Sequence, residues 1–209
     1  ALFLAESGLE YQLVAVDTLK GEQHTPAFTA INPNGKLPAI DDNGTVVFDS
    51  NAILLYLAEK TNTFLGKPEE RGQILSWLMF IASGLGPYSG QAVHFQKAAP
   101  EEIPYAINRY RREAERHYQV IDKQLENSEF IVGDSYTIVD IAAWGWIDRF
   151  IPVLGDGALE QYPNLNRWFN AINSRPAVAQ ARAINKDIAF KSEMDDEALK
   201  ALYPQNYDA

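Results

Sequence analysis

Asn32-Pro33-Asn34-Gly35-Lys36-Leu37-Pro38-Ala39-Ile40 opens with four turn-forming residues and then sets a proline inside a short apolar run. Asn, Pro and Gly favour reversals for separate physical reasons: a side chain that mimics the backbone, a fixed φ, and freedom at positive φ. Proline has no backbone donor, so a strand that carries one belongs at a sheet edge or a bend. A cis Leu37–Pro38 bond would turn the N–H and C=O of Leu37 outward at that edge. An extended peptide could then pair with them as an added strand. An ordinary edge proline explains the same residues.

Downstream, Leu37 to Ile40 and Thr45 to Phe48 read as two strands. Asp41-Asp42-Asn43-Gly44 joins them, and Asn-Gly supplies the positive φ of a tight hairpin. Asp49-Ser50 then caps a helix over Ala52 to Lys60. Free N–H groups at a helix start, with a capping hydroxyl, make a carboxylate site, and a neighbouring Asp suits an amine. Together they fit the two charges of an α-amino-acid head group; a plain N-cap fits them as well. Upstream, Tyr11 to Val16 is apolar and β-prone, which predicts a buried strand. Thr25-Pro26 predicts a short helix through Ala30. Leu2, Phe3 and Ala5 before Gly8 look like the second half of an amphipathic helix. A helix entered halfway sets the expectation that the sequence is trimmed from a longer protein.

The whole segment reads β-α-β-β-α, and everything after it reads helical. Gln73 to Ala82 is apolar on one face, and Ser83-Gly84-Leu85-Gly86-Pro87 is expected to kink or end it. Further helices are expected over Pro100 to Gln124, Ile138 to Ile151 and Asn164 to Ser174, before a polar tail. Thr137 with Asp140 three residues on resembles a capping box, with Asp where Glu or Gln is usual. The expected organisation is an α/β domain over residues 1–62, a linker over 63–68 and an all-helical domain with an extended tail over 69–209.

Composition narrows the chemistry. The 209 residues carry 28 acidic and 18 basic side chains, a formal charge of −10, which disfavours a nucleic-acid partner. Absence of cysteine excludes disulfides, thiolate metal sites and a cysteine nucleophile. His24, His94 and His117 are scattered, so no metal is expected. No run reaches the ~18 apolar residues of a membrane span, and none reads as a signal peptide. A cytoplasmic protein without a membrane partner is expected.

Asn32 to Ile40, then Phe48-Asp49-Ser50-Asn51-Ala52-Ile53-Leu54-Leu55-Tyr56-Leu57, then Tyr136-Thr137-Ile138-Val139-Asp140-Ile141-Ala142, in this order and spacing, resemble the glutathione S-transferase family. Gly84-Leu85-Gly86-Pro87, Gly90-Gln91, His94-Phe95, Ala98-Ala99-Pro100 and Tyr203-Pro204-Gln205-Asn206-Tyr207 are similar to its bacterial Nu-class branch, the disulfide-bond oxidoreductase-like transferases. The resemblance implies a thioredoxin-like N-terminal domain followed by an all-helical one, a homodimer, and glutathione as cosubstrate. It implies that Leu37, before cis-Pro38, pairs with the cysteinyl backbone of glutathione, and that Asp49 and Ser50 hold its γ-glutamyl head. Gln23 matches a glutathione-contacting glutamine. Lys36 would approach the glycyl carboxylate, and Arg116 would reach the neighbouring subunit's site. An exposed turn lysine and a solvated helix face are the plainer accounts of the last two.

Two departures stand out. Asp49 replaces the family's usual Glu, setting the carboxylate one methylene back. The family's first strand and the loop after it, which supplies the groups that hydrogen-bond the thiol, have no counterpart in this sequence. No catalytic residue is therefore assignable, and it is expected in that absent segment. The implied activity is use of the glutathione thiolate, as a disulfide-bond reductase with or without conjugation of electrophiles. The rival class is a non-catalytic binding or assembly module on the same fold; an isomerase or dehalogenase is a third.

Overall fold

The structure, a computed structural model, describes residues 1–206. Tyr207 of the tail motif, and the last two residues of the expected 69–209 domain, lie outside the described residues.

Helix α1, Leu2–Ser7, buries Leu2 and Phe3 and stops where Gly8 adopts φ 66° and donates its N–H to Leu4 O. The strand expected over Tyr11 to Val16 does not form. That stretch runs with no ladder partner among the described residues, and Val14 is 74% exposed. β-propensity makes a strand only where a neighbour completes its hydrogen bonds. Thr25 then caps α2, Pro26–Thr29, as expected. Strands β1, Ala39–Asp42, and β2, Thr45–Phe48, form the antiparallel hairpin. Asn43 at φ 52° and Gly44 at φ 92° make its two-residue turn. Helix α3, Ser50–Thr61, begins two residues earlier than expected because Asp49, not Ser50, is the cap.

Helix α4, Arg71–Phe80, does not end at the Gly-Leu-Gly-Pro run. It passes through a π turn, Ile81–Leu85, into α5, Gly86–Lys97. Pro87 has no N–H to give, and the widened turn absorbs the lost ladder bond. Helix α6, Pro104–Gln124, starts four residues late: Pro104 pre-sets the first helical φ, and Ile103 before it is pushed to an extended conformation. The expected Ile138 to Ile151 helix is two, α7, Ile138–Ile147, and α8, Phe150–Leu154, since Pro152 cannot continue the α7 ladder. Helices α9, Pro163–Asn173, α10, Pro176–Arg182, and α11, Asp196–Leu202, follow.

The core lies among the long helices, where Trp168, Tyr118, Ile121 and Ile147 are fully buried. Asp140 pins it. Its carboxylate accepts from Thr137 N at 2.9 Å, Ile131 N at 3.0 Å and Trp168 Nε1 at 2.9 Å, tying α7 to α9 and to the loop that precedes α7. The class is thus the expected one, a mixed domain with a small sheet and then an all-helical domain. Helix α11 breaks the segregation by returning to pack on the Thr18–Lys20 turn of the first domain.

Candidate binding site

The hairpin register, Ala39 opposite Phe48, carries Leu37-Pro38 and Asp49-Ser50 to the same end of the sheet. The Leu37–Pro38 bond is cis, Leu37 is 45% exposed, and among the described residues no hydrogen bond uses its backbone N–H or C=O. The start of α3 stands beside it. Asp49 is an exposed non-glycine residue at φ 72°, ψ 129°, a region that costs an ordinary residue about 1–3 kcal/mol. From there its Oδ1 accepts Asn51 N at 2.9 Å and Ala52 N at 3.2 Å. A free edge, a helix N-terminus and a carboxylate held in a sparsely populated conformation therefore share one spot.

Two residues that sequence reasoning passed over build this spot. Asn32, 2% exposed, donates to Lys36 O at 2.6 Å and accepts Asn34 N at 3.0 Å, fixing the turn before Leu37. The turn-forming Asn-Pro-Asn-Gly run carried that signal. Asn51, 4% exposed, donates to Leu78 O at 2.7 Å and ties α3 to α4. An Asn in the first turn of a helix carries no such signal, because its partner is distant in sequence.

The remaining predicted residues divide. Lys36 is exposed on the turn, close to Leu37 in the chain. Gln23 is beside the same turn: a Cβ on Gly35 would lie 3.4 Å from Gln23 O and 3.3 Å from the His24 ring. Its side chain, however, is buried, and its Nε2 donates to Ala201 O at 3.0 Å and faces His24 Nε2 at 3.1 Å. Arg116 stands apart on α6. Its Nε and a terminal nitrogen donate to Glu113 Oε2 at 3.1 and 3.0 Å, and no hydrogen bond or ion pair joins it to Leu37, Asp49 or Ser50. Hydrogen bonds from Arg116 and then Arg109 hold the Glu113 carboxyl below the usual carboxylate range.

Tyr56 on α3 donates its hydroxyl to Asp42 Oδ2 at 2.7 Å, and that bond pushes its pKa up. No group of three or more His, Asp or Glu is arranged to hold a metal among the described residues, and no helix there is long and apolar enough to cross a membrane. What the arrangement can do is bind. It offers a main-chain edge to a peptide backbone and opposite polarities to a zwitterionic head group.

Residues 1–59 match the family model of the glutathione S-transferase N-terminal domain, and residues 87–176 that of the C-terminal domain. The disulfide-bond oxidoreductase YfcG of Escherichia coli is 45% identical over 204 residues, covering 94% of this chain and 91% of that protein. The glutathione transferase URE2P8 of Phanerochaete chrysosporium, solved with oxidized glutathione, superposes with a TM-score of 0.82 at 34% identity, covering 90% of this chain and 88% of that one. A glutathione transferase from Burkholderia graminis, solved with two glutathione molecules per subunit, gives 0.79 at 35% identity, over 87% and 81%.

Proposed function

The chain belongs to the glutathione S-transferase family, and on that premise we propose that it uses glutathione as cosubstrate in thiol–disulfide exchange. The observation that carries this reading is the unpaired backbone of Leu37 at the same end of the hairpin as Asp49 and the α3 N-terminus. A γ-glutamyl tripeptide would lay its cysteinyl backbone against Leu37, as an added strand. Its carboxylate would meet the helix start and Ser50, and its ammonium would meet Asp49. Lys36, exposed on the turn, would approach the glycyl end. Arg116, which pairs with Glu113 on its own helix, would turn to the site of the neighbouring subunit in a homodimer.

The chemistry then belongs to the ligand's sulfur, which reconciles redox activity with a chain free of cysteine. A thiol with a pKa near 8.5 is mostly protonated at neutral pH, and each unit of lowering needs about 1.4 kcal/mol of thiolate stabilisation. The thiolate attacks one sulfur of a disulfide, giving a mixed disulfide and releasing the other sulfur as thiolate. A second glutathione resolves the mixed disulfide to oxidized glutathione and the second free thiol. Conjugation would be attack of the same thiolate on an electrophilic carbon. Domain limits of 1–62 and 69–209 about a 63–68 linker, and a cytoplasmic setting in a bacterium, complete the proposal.

The test is turnover with glutathione against 2-hydroxyethyl disulfide and against 1-chloro-2,4-dinitrobenzene, with glutathione binding followed by calorimetry. Disulfide turnover, with affinity lost in Asp49→Ala and Ser50→Ala, is the expected result. Binding without turnover of either substrate would make the protein a binding module. Unchanged affinity in both variants would remove the site.

A further inference from the structure

The C-terminal segment crosses from one domain to the other at three anchors. Lys191 N donates to Asp17 Oδ2 at 2.8 Å, and Asp195 caps α11 by accepting Ala198 N at 2.8 Å. Ala201 O takes a hydrogen bond from Gln23 Nε2 at 3.0 Å. Two residues on, the Tyr203 ring meets His94 of α5 edge to face at 4.9 Å. Ala201 also lies against Gly21, with which any Cβ would be in ordinary contact at 3.5 Å. The segment therefore runs directly over the Gln23–His24 corner, whose other side packs on Gly35 and the turn leading to Leu37.

Gln23 is the telling residue. With His24 Nε2 as acceptor, both hydrogens of its amide are used, one on Ala201 O and one on the ring. Its Oε1 is sealed from solvent and has no partner among the described residues. A buried acceptor left unpaired opposes the arrangement that buries it. The closed segment thus takes one donor of Gln23, His24 takes the other, and the acceptor is left unmet, while an incoming peptide N–H or ammonium would satisfy that oxygen once the segment moves aside.

We infer that residues 191–206 form a latch over Gln23, so that docking of Ala201 on this glutamine and binding of a glutathione-type ligand to it exclude one another. The inference rests on the glutathione reading above and adds a conformational step to it. Ligand affinity is reduced by the fraction of molecules in which the latch is shut, and Tyr203 on His94 and Lys191 on Asp17 set that fraction.

The chain has no cysteine, and a Gly21 Cβ would stand 3.5 Å from Ala201 Cβ, within the span of about 3.5–4.5 Å that a disulfide bridges. Gly21→Cys with Ala201→Cys therefore locks the latch on oxidation. S-hexylglutathione is the probe, since it has no thiol to reduce the lock. The oxidised variant is expected to bind it at least about tenfold more weakly than the same protein after reduction with dithiothreitol. Equal affinities in the two forms overturn the latch. Gly21 sits at φ 76°, which a cysteine tolerates poorly, so the unmodified protein supplies a second readout. Amide hydrogen exchange at Leu199 to Tyr203 is expected to speed up at least about tenfold under saturating S-hexylglutathione; unchanged or slower exchange overturns the latch. An unmodified protein that binds no S-hexylglutathione defeats the glutathione reading itself, and the latch with it.

Discussion

Gly84 and His117 touch so closely across two helices that a Cβ on Gly84 would stand 2.2 Å from His117 Nε2. The histidine cannot retreat. Its Nδ1 is held at 2.6 Å from Glu113 O, and its ring lies between Phe80 and Tyr88 at centroid distances of 5.0 and 5.2 Å. The π turn that carries Gly84 is what brings its backbone against the ring.

Gly84→Ala is therefore expected to destabilise the protein by about 1–3 kcal/mol, the cost of overpacking a filled interior. Gly86→Ala should do likewise, because its Cβ would lie 2.7 Å from the Trp146 ring. Gly90, also in α5, has nothing within 4 Å, so Gly90→Ala should stabilise by up to ~1 kcal/mol through helix propensity alone. Urea unfolding of the three variants checks the sign at each position.

Asp140→Asn keeps the shape of the buried cap and removes its charge. Four donors converge on this carboxylate, among them Thr137 Oγ1 at 3.2 Å and Trp168 Nε1 at 2.9 Å. An amide nitrogen would face at least one of them donor to donor. A loss of about 3 kcal/mol is expected, with activity per folded molecule unchanged. A variant that stays stable but loses turnover would move Asp140 from the scaffold to the chemistry.

Glu113 carries a pH signature. Arg116 and Arg109 hold its folded pKa below the unfolded value, so its contribution to stability is complete above about pH 4.3 and is lost as pH falls through the lower folded pKa. Glu113→Gln should flatten the acid limb of the stability profile in that window and leave the neutral region nearly unchanged. An acid limb of the same slope in both proteins would contradict this assignment.

Asp49→Gly separates capping from ligand recognition. Glycine adopts φ 72° without strain and is a tolerable N-cap, costing only about a few tenths of a kcal/mol against Asp. The melting temperature should stay within about 2 °C. Glutathione affinity should fall about tenfold, the loss of one charged contact of about 1.4 kcal/mol. Loss of stability with affinity retained would make Asp49 a cap and nothing more.

Much of the site could be read before folding because its parts are local. The cis proline, the Asn43-Gly44 turn and the Asp49 cap each depend on residues within a few positions, whose backbone preferences act over that distance. Tyr11 to Val16 shows the limit: its side chains favour a strand, yet no neighbouring ladder among the described residues receives it. Asn51 shows another, since its partner Leu78 lies 27 positions away and nothing near Asn51 announces it.

Order and spacing of the motifs were enough by themselves to indicate the family's two-domain plan, and the absence of cysteine from these residues pointed to a ligand as the source of reactive sulfur. Only tertiary structure decided that Gln23 is covered by Ala201, 178 positions away, and that Arg116 points at Glu113 within its own chain. The physical reason is the range of the forces. Turn and cap preferences are properties of a few adjacent peptide units, whereas which surfaces meet is set by burial and hydrogen-bond completion over the whole chain.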